Sequence, residues 1–401
     1  MSGTNPLRVV TVIGTAVATL AVAAMAPTSA APSVAQGQAQ GQAQKQAQGQ
    51  AQKQAQNQAR QPQGARTLVP AGLDNPRHLA FDRRGRLYVA EAGRGGTDPC
   101  ITGLDGNSVC FGTTGAVSRI GPRGGHRRVA SGFPSLSLGG DSAIGPTDIL
   151  LGKRGRYFVT IGLGDNPNVR PELPQVGRRF MGTLTSGRFH RGRFVLADLA
   201  GYEAAANPDR GLRDSNPGGF IRRGRGFVVA DAGGNDIVAV SRRGNVSAIR
   251  TFGTRRVPVP DSAGPPVDMQ SVPTSVARGR KGVLFVSELT GFPFPAGRAR
   301  IFRVVPGQRT QVFATGLTNV TDLTVYRGQL YAVQIADEGF LASGGVPSGS
   351  LVRVVPGGTP VTVADNLQAP YGVAIRRGKA YVTTCSVCAG RGGVVRIPLF
   401  R

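Results

Sequence analysis

The chain has 401 residues and a formal net charge of +26, from 48 Lys and Arg against 22 Asp and Glu. Beyond residue 64 it is long enough for one large core, and no stretch there approaches the run of about 18 apolar residues that a membrane-spanning helix needs. Trp is absent and no aromatic platform is interleaved with the basic residues, which argues against sequence-specific nucleic-acid binding.

The N-terminal region divides into two segments. Residues 1–31 resemble a secretory signal peptide, because Arg8 precedes an apolar stretch and small residues follow from Thr28 to Ala31. An uncleaved membrane anchor is the alternative. Residues 32–64 are rich in Gln, Ala and Gly and have almost no large apolar side chain, which predicts a disordered linker. We therefore expect an exported protein, secreted or wall-associated, whose folded part spans residues 65–401.

One pattern recurs six times in the folded part: a turn, an apolar run, a tight basic turn and a second apolar run. The copies begin at Asn75, Gly145, Asn216, Val272, Asn319 and Ala369. The runs are short, rich in β-branched and aromatic residues and bounded by Gly, which indicates strands. Further strands follow each copy. The sequence therefore predicts an all-β fold, a six-bladed β-propeller.

The two ends of the folded part complement each other. The last copy provides three strands and then the chain stops, so its fourth strand is missing. The segment Arg66–Leu73 (RTLVPAGL) resembles the outer strand RTQVFATGL of another copy. We expect this N-terminal strand to close the last blade, which would leave no sheet edge open.

Several segments resemble the ScyD/ScyE family of secreted proteins, which is related to NHL and regucalcin-like propellers. They are AGLDNPRHLAFD, the loop between Cys100 and Cys110, residues 202–219 (YEAAANPDRGLRDSNPGG), residues 228–236 (VVADAGGND) and residues 287–307 (SELTGFPFPAGRARIFRVVPG). The resemblance covers the folded part from about residue 68. It implies export and a propeller, and it brings no established reaction and no catalytic residues.

The two faces of such a propeller differ in chemistry. The turns between first and second strands are cationic, and two turns between third and fourth strands add further arginines. The residues are Arg83, Arg84, Arg86, Lys153, Arg154, Arg156, Arg222, Arg223, Arg225, Arg278, Arg280, Lys281, Arg327, Arg376, Arg377, Lys379, Arg123, Arg127, Arg128, Arg242 and Arg243. They form either an ordinary solvated surface or a docking surface for an anionic envelope polymer. The opposite face carries the long loops, where we expect ligand binding.

Two columns of the repeat point to a candidate site where the central channel meets the loops. The predicted ligand-binding residues are His78, Asp148, Ser275 and Asp322 from the first strands and Glu91, Asp231 and Glu288 from the second strands. Oxygen ligands suit Ca²⁺ or another divalent cation, the one candidate cofactor, with Glu91, Asp231 and Glu288 as metal ligands. The alternative is that these groups hydrogen-bond loop backbone. His78 is also a candidate general base.

The four cysteines, Cys100, Cys110, Cys385 and Cys388, predict disulfides in an exported protein. Local pairing of Cys100 with Cys110 and of Cys385 with Cys388 is the simplest of three connectivities, and cross-pairing stays open. A redox motif or a zinc site is a weaker interpretation of the same residues.

The sequence contains no G-x-S-x-G, Walker or H-E-x-x-H motif. We therefore expect a secreted, monomeric propeller that binds a small molecule or a protein on its loop face and has no catalytic activity. A metal-dependent enzyme of the lactonase or sugar-dehydrogenase type is the alternative.

Overall fold

The structure is a computed structural model that describes residues 65–399 except 105, 261 and 263. The predicted signal peptide (residues 1–31) and linker (residues 32–64) lie outside these residues. The described chain begins with strand β1 (Arg66–Leu73). Nearly all of the regular structure is antiparallel β-sheet.

The first three sheets follow in chain order. Sheet I contains β2 (Pro76–Phe81), β3 (Leu87–Glu91), β4 (Cys100–Thr102), β5 (Ser108–Ile120), β6 (His126–Leu138) and β7 (Asp141–Ile144). Sheet II contains β8 (Pro146–Leu151), β9 (Arg156–Ile161), β10 (Thr183–Arg188) and β11 (Arg193–Asp198). Sheet III contains β12 (Pro217–Arg223), β13 (Gly226–Asp231), β14 (Asp236–Val240) and β15 (Val246–Thr251).

A small hairpin of β16 (Arg255–Val257) and β17 (Val267–Met269) precedes the last three sheets. Sheet IV contains β18 (Pro273–Arg278), β19 (Leu284–Glu288), β20 (Ala299–Val304) and β21 (Gln311–Leu317). Sheet V contains β22 (Val320–Tyr326), β23 (Gln329–Gln334), β24 (Ser348–Arg353) and β25 (Val361–Gln368). Sheet VI contains β26 (Val373–Arg376), β27 (Lys379–Thr384) and β28 (Gly392–Pro398), and β1 pairs with β28 at its edge.

In the described residues, helices occur only in the segments that connect strands. The α-helices are α1 (Gln175–Phe180) and α2 (Leu199–Ala206), and short 3₁₀ turns cover Lys153–Gly155, Pro167–Glu172, Arg280–Gly282 and Phe340–Ala342. Helix α2 begins at the N-cap Asp198, whose side chain accepts a hydrogen bond from the Gly201 N–H. No helix of the described residues has both the length and the apolar character needed to cross a membrane.

The first strands of successive sheets contact one another. The contacting pairs are β2 with β8, β8 with β12, β12 with β18, β18 with β22, β22 with β26, and β26 with β2. Sheets arranged with their first strands around a common axis form a β-propeller. The predicted all-β propeller fold is therefore present.

Hydroxyl groups on first or second strands tie neighbouring sheets together. In each case a Thr Oγ1 donates to a backbone carbonyl at the start of the next sheet. The bonds run from Thr160 to Gly218 (2.7 Å), from Thr274 to Val320 (2.7 Å), from Thr321 to Tyr371 (2.6 Å) and from Thr383 to Arg77 (2.9 Å). The last of these joins the final sheet to the first one.

The core between sheets is apolar and repeats with the strands. In five sheets, a valine two residues before the end of the second strand is fully buried: Val89, Val159, Val229, Val286 and Val382. These β-branched side chains fit the pleated surface on which the neighbouring sheet packs. This packing fixes the inner strand ends, and so it positions the polar groups described below.

Candidate ligand site at the channel

The polar residues of the first strands converge at the channel. His78 of β2 places its Nδ1 atom 3.7 Å from Asp148 Oδ2 and 3.5 Å from Asp322 Oδ1. Ser275 Oγ donates a 2.8 Å hydrogen bond to the same Asp322 oxygen. All four residues are buried. The structure thus brings together His78, Asp148, Ser275 and Asp322, which four different sheets contribute.

The two aspartates also join neighbouring first strands. Asp148 Oδ2 accepts a 2.9 Å hydrogen bond from the Phe220 N–H, and Asp322 Oδ2 accepts a 2.7 Å bond from the Val373 N–H. Burial raises the pKa of Asp148 to about 6, the charge of His78 opposes this and the charge of Asp322 adds to it. The two aspartates therefore accept backbone hydrogen bonds from the neighbouring sheets and also place carboxylate oxygens beside His78.

In two of the six repeats the position that corresponds to His78 is a glycine, Gly219 or Gly372, and both glycines make room for the histidine. A Cβ atom at Gly219 would lie 2.9 Å from His78 Cε1 and 2.6 Å from Ser275 Oγ. A Cβ atom at Gly372 would lie 2.6 Å from His78 Cα and 2.7 Å from the Arg77 carbonyl oxygen. Side chains at these positions would occupy the space that the imidazole and the β2 backbone now fill.

The second imidazole nitrogen is free of protein partners. His78 Nε2 is buried and forms no hydrogen bond with any described residue. The ring lies 5.3 Å from the ring of Tyr371, measured between centroids. A buried imidazole with one nitrogen beside two carboxylates and the other unbonded can hold or transfer a proton.

Arg77, next to His78, is the most unusual residue at the channel mouth. Its side chain is buried, its Nη2 donates a 2.6 Å hydrogen bond to the Ala143 carbonyl, and its Cζ lies 4.6 Å from the centre of the Tyr371 ring. Its Nη1 has no partner. Burial lowers the pKa of Arg77, and only the charge of Tyr371 opposes that shift.

A cavity opens at this guanidinium. Its walls come from sheets I to IV and from the segment before β26, and the polar or aromatic side chains that line it are Arg77, Thr147, Asn216, Thr274 and Tyr371. Sequence reasoning missed Arg77. The sequence did contain a signal for it: a charged residue stands between Pro76 and His78 at the start of an inner strand, where side chains are expected to be buried.

The second-strand acids do not join this group. Glu91 is fully buried and accepts bonds from Ser118 Oγ (2.5 Å), Arg128 Nη2 (2.8 Å) and the Asp74 N–H (2.8 Å). Arg128 also bonds Asp74 Oδ2 at 2.8 Å. The sequence placed Arg128 among the basic turns. It lies in β6 instead, and its guanidinium bonds these carboxylates.

Glu288 and Asp231 have equivalent local roles in sheets IV and III. Glu288 is fully buried between Arg255 and Arg300, with N–O distances of 3.0 and 2.8 Å. Asp231 accepts bonds from Ser215 Oγ (2.7 Å) and the Asn216 N–H (2.6 Å). These contacts match the alternative of hydrogen bonding to loop groups.

The joint metal site predicted from Glu91, Asp231 and Glu288 does not fit this arrangement. The three carboxylates lie in separate networks, and two of them are already neutralised by arginine. Across residues 65–399, apart from the three left undescribed, no three His, Cys, Asp or Glu side chains are grouped as ready metal ligands. The physical reason is register: each of these acids pairs opposite the first residue of its neighbouring strand and points into its own sheet.

The basic turns lie at the opposite ends of the strands. Most of their side chains are exposed. Adjacent turns contact one another, because Arg278 Nη2 donates a 2.8 Å bond to the Arg222 carbonyl and the Arg376 guanidinium lies against Gly85. We call the surface of turns 82–86, 152–155, 224–225, 279–283, 327–328 and 377–378 the basic face, and the surface at the other strand ends the loop face.

Both predicted local disulfides are present, Cys100–Cys110 and Cys385–Cys388. No described cysteine is free. The first bond crosslinks β4 to β5, and the second closes a tight turn beside the channel-mouth loops.

Comparison with known proteins shows structural similarity without detectable sequence similarity. No family model and no curated protein matches the chain, so the ScyD/ScyE resemblance stays a prediction. Similar solved structures include virginiamycin B lyase from Staphylococcus aureus (13% identity, 84% of this chain and 98% of that chain covered, TM-score 0.44). Another is a gluconolactonase from Xanthomonas campestris (11%, 83% and 89%, 0.49). A third is a protein of unknown function from Bacteroides thetaiotaomicron (9%, 84% and 75%, 0.49).

Proposed function

We propose that the chain is an exported, six-bladed β-propeller that binds a small organic anion at the channel mouth on its loop face. Sheets I to VI are the six blades in this proposal, and β1 closes the last one by pairing with β28. The bond from Thr383 to the Arg77 carbonyl supports closure. The two disulfides support export, because such bonds persist in oxidising compartments.

The observation that carries the ligand class is the buried guanidinium of Arg77 with its unpartnered Nη1 atom. Burying a charge without a partner of opposite charge is costly, and a ligand carboxylate at Nη1 would offset that cost. The Tyr371 ring and the bond to Ala143 hold the guanidinium in place. The guanidinium is therefore preorganised for an anion, and Asn216 lies beside it at the cavity wall.

A thermal-shift screen tests this binding role. We expect the smallest carboxylates, such as formate, acetate and glycolate, to raise the Tm of the protein, and their uncharged amides to leave it unchanged. Arg77→Met keeps the length of the side chain and should abolish the shift. Arg86→Met, on the basic face, is the matched control and should retain it. If no carboxylate stabilises the protein, or if Arg77→Met responds as the wild type does, the proposal is wrong.

The second candidate is an enzyme of the lactonase type, and the unbonded Nε2 of His78 is the observation in its favour. In this interpretation His78 is the general base, and the carboxylates beside it are Asp148 and Asp322 rather than Glu91 and Glu288. An assay of lactone hydrolysis, with proton release as the readout, would test this interpretation. Activity that disappears in His78→Gln but survives in Glu91→Gln would favour the enzyme over the binding protein.

We also propose that the basic face holds the protein to an anionic envelope polymer. The exposure of the cationic turns and the contacts between adjacent turns support a continuous surface rather than scattered charges. Such binding would be electrostatic and would weaken steeply with salt.

A further inference from the structure

A groove lies between sheets IV and V, where the two sheets meet at the basic face. We propose that this groove binds a small amphipathic anion, a molecule with an aromatic body and one carboxylate or sulfonate group. The turns that border the groove are at the opposite strand ends from Arg77 and the channel mouth. The site is therefore separate from the anion site of the proposed function.

The floor of the groove is apolar. Phe285 of β19 and Phe313 of β21 come from sheet IV, and Val325, Leu330 and Val354 come from the edge of sheet V. Leu330 and Val354 are buried, whereas the two phenylalanines and Val325 are only half-buried. The two phenylalanine rings contact each other, with 4.6 Å between their centroids. A ligand with an apolar body would remove these partly exposed side chains from water, which favours binding.

The size of the groove suits a small organic molecule. Its volume is about 350 Å³, and pockets for such ligands have volumes of about 300–1,000 Å³. The cavity at Arg77 measures only about 20 Å³ and does not admit a fused aromatic ring. A ligand with two aromatic rings would thus distinguish the two sites.

Three arginines border the apolar floor. Arg280 is exposed in the turn before β19, and Arg303 of β20 and Arg353 of β24 are half-buried. No described Asp or Glu lines the groove. Within the described part of the chain, none of the three arginines forms an ion pair with an acid. This rim attracts an anion and repels a cation.

The two half-buried arginines occupy the same position in neighbouring repeats. The segments FRVVPG (residues 302–307) and VRVVPG (residues 352–357) carry them. Arg303 pairs opposite Phe285 in sheet IV, and Arg353 pairs opposite Tyr331 in sheet V. The two charges therefore reach the groove from both of its sides.

Arginine beside an aromatic floor indicates the class of ligand. A guanidinium can donate two parallel hydrogen bonds to a carboxylate, and it can also stack on an aromatic ring. Arg303 Nη1 already donates a 3.0 Å bond to Gln311 Oε1, a neutral acceptor that leaves the positive charge uncompensated. An aromatic anion uses both the apolar floor and the charged rim, whereas an acetate ion or a neutral aromatic molecule uses only one of them.

The test is isothermal titration calorimetry of the full chain with 2-naphthoate, in about 0.3 M NaCl to screen the other charges of the basic face. We expect one bound ligand per chain. The uncharged 2-naphthamide has the same rings and should bind about tenfold more weakly or worse, because the charged hydrogen bonds are lost. Acetate lacks the rings and should not compete with 2-naphthoate. These comparisons require no variant and so do not depend on whether a variant folds.

Arg353→Met keeps the length of the side chain and should weaken the binding of 2-naphthoate about tenfold. Arg119→Met is the matched control, because Arg119 is also half-buried and pairs opposite Tyr88 at the equivalent position of sheet I, away from the groove. It should bind 2-naphthoate as the wild type does. Arg77→Met should also keep this binding, so a failure of the anion site of the proposed function would leave the result unchanged.

Four results would overturn the proposal. Equal affinities for 2-naphthoate and 2-naphthamide would show that the arginines play no part in binding. Equal losses in Arg353→Met and Arg119→Met would show only a general attraction to the basic face. Tighter binding of decanoate than of 2-naphthoate would identify an acyl-chain site instead of an aromatic one. A protein that elutes as a dimer and does not bind 2-naphthoate would show that a second copy covers the groove.

Discussion

Replacing Asp148 with Asn should change how stability depends on pH, by an amount that follows from the burial of this carboxyl. Its pKa rises from an ordinary 3.8 to about 6 in the folded protein. A folded-state pKa above the unfolded one gives stability that is present at low pH and is lost as pH rises through the folded value. A shift of about two units is worth ~3 kcal/mol, lost between about pH 4 and pH 6.

Urea unfolding of wild type and Asp148→Asn at about pH 4 and pH 7, both in EDTA, isolates that contribution. The variant also loses one of the acceptor bonds to Phe220 or Ile149, a cost independent of pH. The stability difference between variant and wild type should therefore shift by about 3 kcal/mol in favour of the variant on going from the lower to the higher pH.

Asp82→Asn is the control with the opposite sign. Burial raises the pKa of Asp82, but hydrogen bonds from Arg86 more than offset this, so the net shift is downward. The free energy of unfolding of Asp82→Asn should therefore fall relative to that of the wild type as pH rises. An Asp148→Asn difference that is equal at both pH values would refute the reasoning, because Asp148 would then ionise as it does in the unfolded chain.

Three further predictions concern ring closure, the second-strand acids and the basic face. Gly372→Ala should destabilise the protein by about 2 kcal/mol or more in urea unfolding, because the added methyl meets the His78 backbone. Gly192→Ala, where nothing lies within 4 Å, should be nearly neutral, and equal effects would count against closure of the ring there. Glu91→Gln should cost about 2 kcal/mol in urea unfolding, because Glu91 is fully buried while its partner Arg128 is 38% exposed and partly screened by water; a cost near zero would show that the pair does not stabilise the protein. Retention on heparin should fall steeply with salt, and a flat response would exclude polyanion binding by the basic face.

The repeat made most of the fold predictable. Short apolar runs that recur in the same order around a basic turn identified the strands, and the resemblance of Arg66–Leu73 to other outer strands predicted the pairing of β1 with β28. The position of His78, Asp148, Ser275 and Asp322 within their strands also predicted that they would converge.

The second-strand acids show where sequence spacing is insufficient. Glu91 and Glu288 recur at one position of the repeat, yet their side chains point into their own sheets toward Arg128 and Arg300. Those arginines come from other strands of the same sheets, and the pairing of β5 with β6, which positions Arg128, is interrupted by bulges that the repeat does not reveal.

The surroundings of Asp236 could not be predicted for a different reason. Glu203 lies in helix α2, which belongs to an insertion, and the position of that helix brings the Glu203 carboxylate close to Asp236 at the β13–β14 turn. Likewise, the unpartnered Nη1 of Arg77 is a property of the assembled channel mouth and has no counterpart in the repeat pattern.

A crystal structure of the protein with the most stabilising carboxylate of the screen would test the central claim most directly. The account predicts a ligand carboxylate within hydrogen-bond distance of Arg77 Nη1, in the cavity beside Tyr371. A carboxylate bound elsewhere, on the basic face for example, with Arg77 Nη1 still without a partner, would contradict it.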